Sequence, residues 1–258
     1  MLPNLSDLNL ENVQRKPRRE LSGPKQPEDG VYCLDKQDST DPCNSYVILK
    51  RQAIMASEDE FNEAETFFLD NLHPFKFMNT LVTRRQCTFG KVQYARYTLM
   101  SDENKWPSLV HRVIQATQAF AAELGIANPE EYNAVHGNYY EDEGAGVAAH
   151  SDDEKQLVQK APIFSYTFLK NDNNEFAREF VIKRKPGALH ETIDKTTGGV
   201  KIILESGDLL VMGGDMQEHF THELPKLKIV DENKYVPRIN FTVRRFTEAD
   251  PKKRGREY

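Results

Sequence analysis

The chain has 258 residues, 38% of them hydrophobic and 29% charged, with a formal net charge of -6. That length can bury a sizeable core, and the composition is that of a globular protein with polar ends. No apolar run approaches the roughly 20 residues needed to cross a bilayer. Met1 to Leu21 lack an apolar signal core, and the negative charge argues against a protein that coats nucleic acid by charge alone. Three cysteines, Cys33, Cys43 and Cys87, show no metal-ligand spacing and no even disulfide set, so a reducing interior is expected and export is not.

Residues 1–45 are rich in Pro, Asp, Lys and Arg and are expected to form a disordered polar tail, with Arg15, Lys16, Arg18, Arg19 and Lys25 as its basic cluster. Residues 248–258 form a second basic tail. Such ends suit phosphate contacts or nuclear import, which places the protein in a nucleus if the source is eukaryotic and otherwise in the cytoplasm. Monomer is the default state.

Ordered structure is expected from Tyr46-Val47-Ile48-Leu49. Ser57 and Glu60 fit a capping box ahead of Phe61, Ala64, Phe67 and Phe68 at helical spacing, so a helix is expected over 58–72. His73 beside Pro74 reads as its end. Thr83 to Gly90 is basic, ends in glycine and reads as an exposed loop, followed by a strand over 91–99. A second helix is expected from Ser108 to Leu124, with Gly125 as its stop and His111 on its surface. From Tyr132 onward short strands alternate with turns, at 133–140, 147–152, 163–169, 178–183, 188–193, 200–204, 208–212, 218–223 and 236–246. That texture is a β-sandwich or barrel, with two helices against it and no second domain: an α+β fold.

Two stretches carry chemistry. In His150-Ser151-Asp152 an imidazole and a carboxylate sit two residues apart, on one side of an extended chain. One more imidazole would complete a triad of two His and one carboxylate, which leaves coordination positions open and suits non-haem Fe(II) oxygenases. Either His219 or His222 could supply it; three residues apart on a strand, they face opposite ways. His136 and His190 read as structural or exposed. In the last strand Arg238, Asn240, Thr242 and Arg244 share one face, opposite Ile239, Phe241 and Val243. Two guanidiniums bracketing an amide and a hydroxyl suit a dicarboxylate, because guanidinium grips carboxylate bidentately and stays charged when desolvated.

Several stretches together resemble the AlkB family of Fe(II)- and 2-oxoglutarate-dependent nucleic-acid dealkylases. They are Asn138-Tyr139-Tyr140, His150 to Glu154, Gly207 to Met212, His222-Glu223-Leu224-Pro225-Lys226, and Pro237 to Arg244 with its Arg-x-Asn-x-Thr-x-Arg pattern. Arg84 to Gly90, Trp106-Pro107 and Arg178 to Lys185 are similar to the eukaryotic-type branch that acts on double-stranded DNA. The likeness covers about residues 75–246. It implies a jelly roll (a double-stranded β-helix) with the N-terminal helices packed on one side, over 46–247, with a nucleotide-recognition lid at about 80–100. The resemblance selects His222, with His150 and Asp152, as the iron ligands. It assigns the distal carboxylate of 2-oxoglutarate to Arg238 and its metal-chelating end to Arg244, with Asn138, Tyr140, Asn240 and Thr242 beside them. Substrate contacts are implied at Arg84, Arg85, Phe89, Gly90, Tyr97, Glu154 and Arg178. The implied reaction removes N-alkyl groups from bases such as 1-methyladenine and 3-methylcytosine in DNA, as alkylation repair. It consumes O2 and 2-oxoglutarate and yields succinate, CO2 and formaldehyde. An RNA demethylase of the same chemistry, or an oxygenase acting on a protein, are the alternatives.

Overall fold

A computed structural model describes residues 27–35, 43–77, 80–92, 97–142, 144–186, 200–227 and 236–247. The strand expected at 188–193, His190 and most of both basic tails lie outside these residues. The tail boundary moves, however. Gly30–Cys33 is a strand, β1, paired antiparallel with β2, Ser45–Lys50, so ordered structure begins inside the stretch expected to be a tail. Cys33 and Cys43 form a disulfide beside that pair and Cys87 is buried and free, which corrects the expectation of three unpaired thiols. An odd count says nothing about which two cysteines a hairpin brings together.

α1, Glu58–Asn71, begins as its sequence predicts. Ser57 accepts from the Glu60 backbone N–H while the Glu60 carboxylate accepts from the Ser57 N–H, and Phe61, Ala64 and Phe68 face inward. Two short strands follow, β3 (Phe75–Phe77) and β4 (Thr80–Val82). The stretch expected to be a loop is then a strand, β5, Arg85–Phe89, with β6, Thr98–Met100, parallel beside it. Its flanking charges conceal an alternation in which Cys87 and Phe89 are fully buried. α2, Ser108–Glu123, closes on Gly125 at a φ of 72°, a left-handed stop that suits glycine.

The remaining strands are β7 (Tyr132–Tyr140), β8 (Val147–His150), β9 (Ile163–Leu169), β10 (Arg178–Arg184), β11 (Val200–Leu204), β12 (Leu209–Gly214), β13 (Phe220–Leu224) and β14 (Arg238–Arg245). They build an eight-stranded sheet in the order β1-β2-β12-β9-β14-β7-β5-β6, facing a four-stranded sheet in the order β11-β10-β13-β8. This is the expected α+β jelly roll. A short helix, α3 (Met216–His219), precedes β13, so His219 ends a helix rather than opening the strand expected from 218. Among the described residues no helix is long and apolar enough to cross a membrane.

The two faces of the large sheet bury different things. Its outer face packs Tyr139, Phe164, Tyr166, Phe168, Ile239, Phe241 and Val243 with Phe68 and Phe89 and under the helices. Its inner face is apolar at one end, where Val47, Leu49, Leu210 and Met212 meet Phe180, Ile182, Ile202 and Leu204 of the small sheet. At the other end the inner face is polar. Gln86, Thr88, His136, Asn138, Ser165, Thr167, Arg238, Asn240, Thr242 and Arg244 are all buried there. Buried polar groups need partners, so this half of the sandwich is built around something polar.

Gly137 of β7 lets the outer core close. A Cβ there would stand 2.8 Å from Phe68, 3.0 Å from Phe89 and 3.2 Å from Phe241, all ring atoms in a packed core. Gly137→Ala is expected to lower unfolding stability by about 1–3 kcal/mol, read as a drop in the urea midpoint; an unchanged midpoint would show that the three rings have room to give.

Candidate metal and cosubstrate site

His150 closes β8 and stands opposite His222 of β13 in the strand register. Their ring centroids are 4.3 Å apart. Nδ1 of His150 lies 2.9 Å from the Ala148 carbonyl and Nε2 lies 3.8 Å from Oδ1 of Asp152. A ligand atom from each of His150, Asp152 and His222 falls within 4.8 Å of the other two. Phe180 stacks on His222 at 5.4 Å, and the Asp152 backbone N–H donates to Gln217 at 2.9 Å.

The other carboxylate oxygen, Oδ2, belongs to the opposite sheet. Arg244 donates to it from Nη2 at 2.8 Å and from Nε at 3.3 Å. Burial alone would raise the Asp152 carboxyl, but Arg244, together with His222 and His150, outweighs burial and holds it well below the usual carboxylate range. Burial pushes His222 down to about 3, against the pull of Asp152. A neutral His222 imidazole and the Asp152 carboxylate therefore present lone pairs at neutral pH, with the His150 ring beside them. That is the donor set, and the charge, that an open site for a divalent first-row ion requires.

Arg238 is the second feature. It is 3% exposed, its guanidinium lies 5.0 Å from the Tyr140 ring centroid and Nη2 donates to Thr167 Oγ1 at 2.9 Å. Burial lowers it to about 10, so it stays charged at neutral pH. Arg178 lies 5.9 Å over the same tyrosine ring. Among the described residues no carboxylate pairs with Arg238, while its Nε and Oδ1 of neighbouring Asn138 are buried without a hydrogen-bond partner. An uncompensated buried cation is expensive, and an anionic ligand carboxylate answers that cost.

The structure thus brings together His150, Asp152, His222, Asn138, Tyr140, Arg238, Asn240, Thr242 and Arg244. Asn240 and Thr242 act as braces rather than as open donors. Asn240 spends its amide N–H groups on Ser165 and the Tyr166 carbonyl, at 2.9 and 2.8 Å, and accepts from Thr242 at 3.1 Å.

The expected substrate contacts divide. Arg84 is half-buried and donates to Gln86 at 3.0 Å and to the Gly146 carbonyl at 3.1 Å. It and Glu154 are among the charges that act on Tyr97. Arg85 turns the other way, onto the Leu72 carbonyl at 2.6 Å and Glu141 at 3.3 Å. Phe89 is fully buried among core rings, Gly90 lies against Ala134, and Arg178 is buried on the carbonyls of Ala145 and Pro225 at 2.8 and 2.5 Å. Arg85, Phe89 and Gly90 are spent on the framework, whereas Arg178 also lies over the Tyr140 ring beside Arg238. The inner-face polar residues Gln86, Thr88, His136, Ser165 and Thr167 escaped the reading of the sequence. Their signal was present, as the alternation of Ser165 and Thr167 with Phe164, Tyr166 and Phe168.

Residues 49–244 match the family described as the 2OG-Fe(II) oxygenase superfamily, and the chain belongs to that superfamily. It is a dioxygenase that uses Fe(II), 2-oxoglutarate and O2. Within the superfamily its similarity runs to AlkB-type proteins. The human DNA oxidative demethylase ALKBH2 is 26% identical over 91% of this chain and 85% of its own length. The bovine one is 28% identical over 64% of this chain and 53% of its own length. The mouse alpha-ketoglutarate-dependent dioxygenase alkB homolog 3 is 35% identical over 44% of this chain and 36% of its own length.

The depressed histidine has a consequence for the metal-free protein. Below its unfolded value of 6.5 the unfolded chain takes a proton on His222 that the fold refuses until about 3, so stability falls as pH falls through that window. His136, also lowered by burial, acts in the same direction. Between pH 7 and 5 the loss from His222 is expected to be about 2 kcal/mol, measured by urea unfolding of the apo protein. A midpoint that is constant or rises on acidification would contradict the neutral, buried imidazole.

Proposed function

We propose that the chain removes N-alkyl groups oxidatively from nucleic-acid bases, with alkylated DNA, such as 1-methyladenine and 3-methylcytosine, as its substrate. His150, Asp152 and His222 hold the iron. Arg238, backed by Tyr140, takes the distal carboxylate of 2-oxoglutarate, and Arg244 lies beside its chelating end while steadying Asp152. The bound iron and cosubstrate supply the oxygen chemistry: O2 is consumed, 2-oxoglutarate becomes succinate and CO2, and the hydroxylated alkyl carbon leaves as formaldehyde.

The chain's own residues supply position. A base inside a duplex cannot reach the triad, so it must leave the stack at a cost of a few kcal/mol. Damaged bases pair poorly and leave more readily. What supports the substrate class is the half-buried Tyr97 ring, packed on His136 at 4.5 Å and within electrostatic reach of Arg84, Arg244, Glu154 and Asp152. An aromatic face and a carboxylate acceptor suit a flat, cationic alkylated base, and the Arg84 guanidinium suits a phosphate beside it. DNA is favoured over RNA because the human relative that spans most of this chain is called a DNA oxidative demethylase.

The test is succinate formation from 2-oxoglutarate with Fe(II), with methylated and unmethylated oligonucleotides as single-stranded DNA, duplex DNA and RNA. Stimulation by methylated DNA with release of formaldehyde is expected, and stimulation by RNA alone would move the substrate. Asp152→Ala is expected to abolish succinate formation; full activity in that variant would remove the metal assignment. Arg238→Leu is expected to raise the KM for 2-oxoglutarate by at least about tenfold, in line with losing a charged hydrogen-bond pair. An unchanged KM would place the carboxylate elsewhere.

A further inference from the structure

One buried ring on the polar inner face has no part in the chemistry above. His136 lies mid-strand in β7, opposite Thr88 of β5 and Thr242 of β14, and is 6% exposed. Its ring centroid is 4.5 Å from that of Tyr97, with the planes at 45°. Tyr97 itself stands just ahead of the short β6. The charges that act on the two rings overlap: Arg84, Arg244 and Asp152 act on both. Both rings therefore lie within electrostatic reach of Arg84 and of the Arg244–Asp152 pair. An imidazole at this depth gives up hydration that an aliphatic side chain would not. A ring there has the flat face that an aromatic partner packs on, in a tilted geometry that aromatic pairs adopt.

We infer that His136 is a positioning residue, whose imidazole backs the Tyr97 ring and sets its angle at the mouth of the site, and thereby sets how tightly the target base is held. The inference rests on the reading of Tyr97 as a base contact. Because the ring is ordered before substrate arrives, binding does not have to freeze the phenol's torsions. His136 touches neither the ion nor the cosubstrate in this role, so its removal acts on substrate affinity.

The experiment is steady-state kinetics of the full chain, with Fe(II), on a single-stranded oligonucleotide carrying 1-methyladenine, for His136→Leu and His136→Phe. His136→Leu is expected to raise the KM for the oligonucleotide roughly three- to tenfold, with the KM for 2-oxoglutarate moving less than about twofold. His136→Phe, which keeps a ring, is expected to recover most of the loss. If His136→Leu lowers the melting temperature, His136→Gln, polar but ringless, is measured with the same expectation. An unchanged oligonucleotide KM, a parallel rise in the KM for 2-oxoglutarate, or no recovery with phenylalanine would overturn the inference. If the unsubstituted chain is not stimulated by the oligonucleotide, the base-binding reading falls and takes this inference with it. Stimulation with an unaffected His136→Leu removes the inference alone.

Discussion

The buried pair between Arg244 and Asp152 joins the two sheets at the point where the chemistry sits. Arg244 belongs to β14 in the large sheet and Asp152 follows β8 in the small one, with 2.8 Å between Nη2 and Oδ2. By taking Oδ2, the guanidinium leaves Oδ1 facing His150. A buried pair of this kind contributes little net stability, because desolvation consumes most of the Coulomb gain. Its value is orientation. Without Arg244 the carboxylate would be a buried anion free to turn, and the cost of that unpaired charge would be about 3–5 kcal/mol.

Around this pair the sandwich divides its interior. Where β2 and β12 face β10 and β11 it is closed by aliphatic side chains. Where β14, β7 and β5 face β13 and β8 it is polar, and the polarity is graded. Asn240 and Thr242, spent on each other and on β9, stiffen the floor between the two arginines of β14. Arg238 at one end carries a charge that no carboxylate among the described residues answers, and Arg244 at the other is committed to Asp152. That asymmetry separates an arginine without a carboxylate partner among the described residues from one that orients Asp152. The identical spacing of the two along the strand does not reveal it.

Some of this was legible in the chain. His150 and Asp152 sit at strand spacing, the alternation from Arg238 to Arg244 is uninterrupted, and the Ser57–Glu60 capping box started α1 at its observed residue. These are local patterns, set by a few neighbouring residues. What stayed hidden depended on partners far away in sequence. Arg84 and Arg85 made β5 look like an exposed loop, although Gln86, Cys87, Thr88 and Phe89 alternate under them. His136 looked isolated because its partner, Tyr97, arrives from the segment just ahead of β6. Cys33 and Cys43 are brought together by the β1–β2 hairpin, which the polar composition of the N-terminal stretch disguised. His219 and His222 could not be separated by spacing, since a helix ends at one and a strand carries the other.

The central claim, that β8 and β13 close on a single ion through two imidazoles and one carboxylate, is tested most directly by pulsed electron paramagnetic resonance of Mn(II), a redox-silent stand-in for iron, bound to the apo protein. One ion per chain is expected, with nitrogen couplings from two histidines, one of which is lost in His150→Ala and the other in His222→Ala. Binding without imidazole nitrogen couplings, or couplings that survive both substitutions, would contradict it.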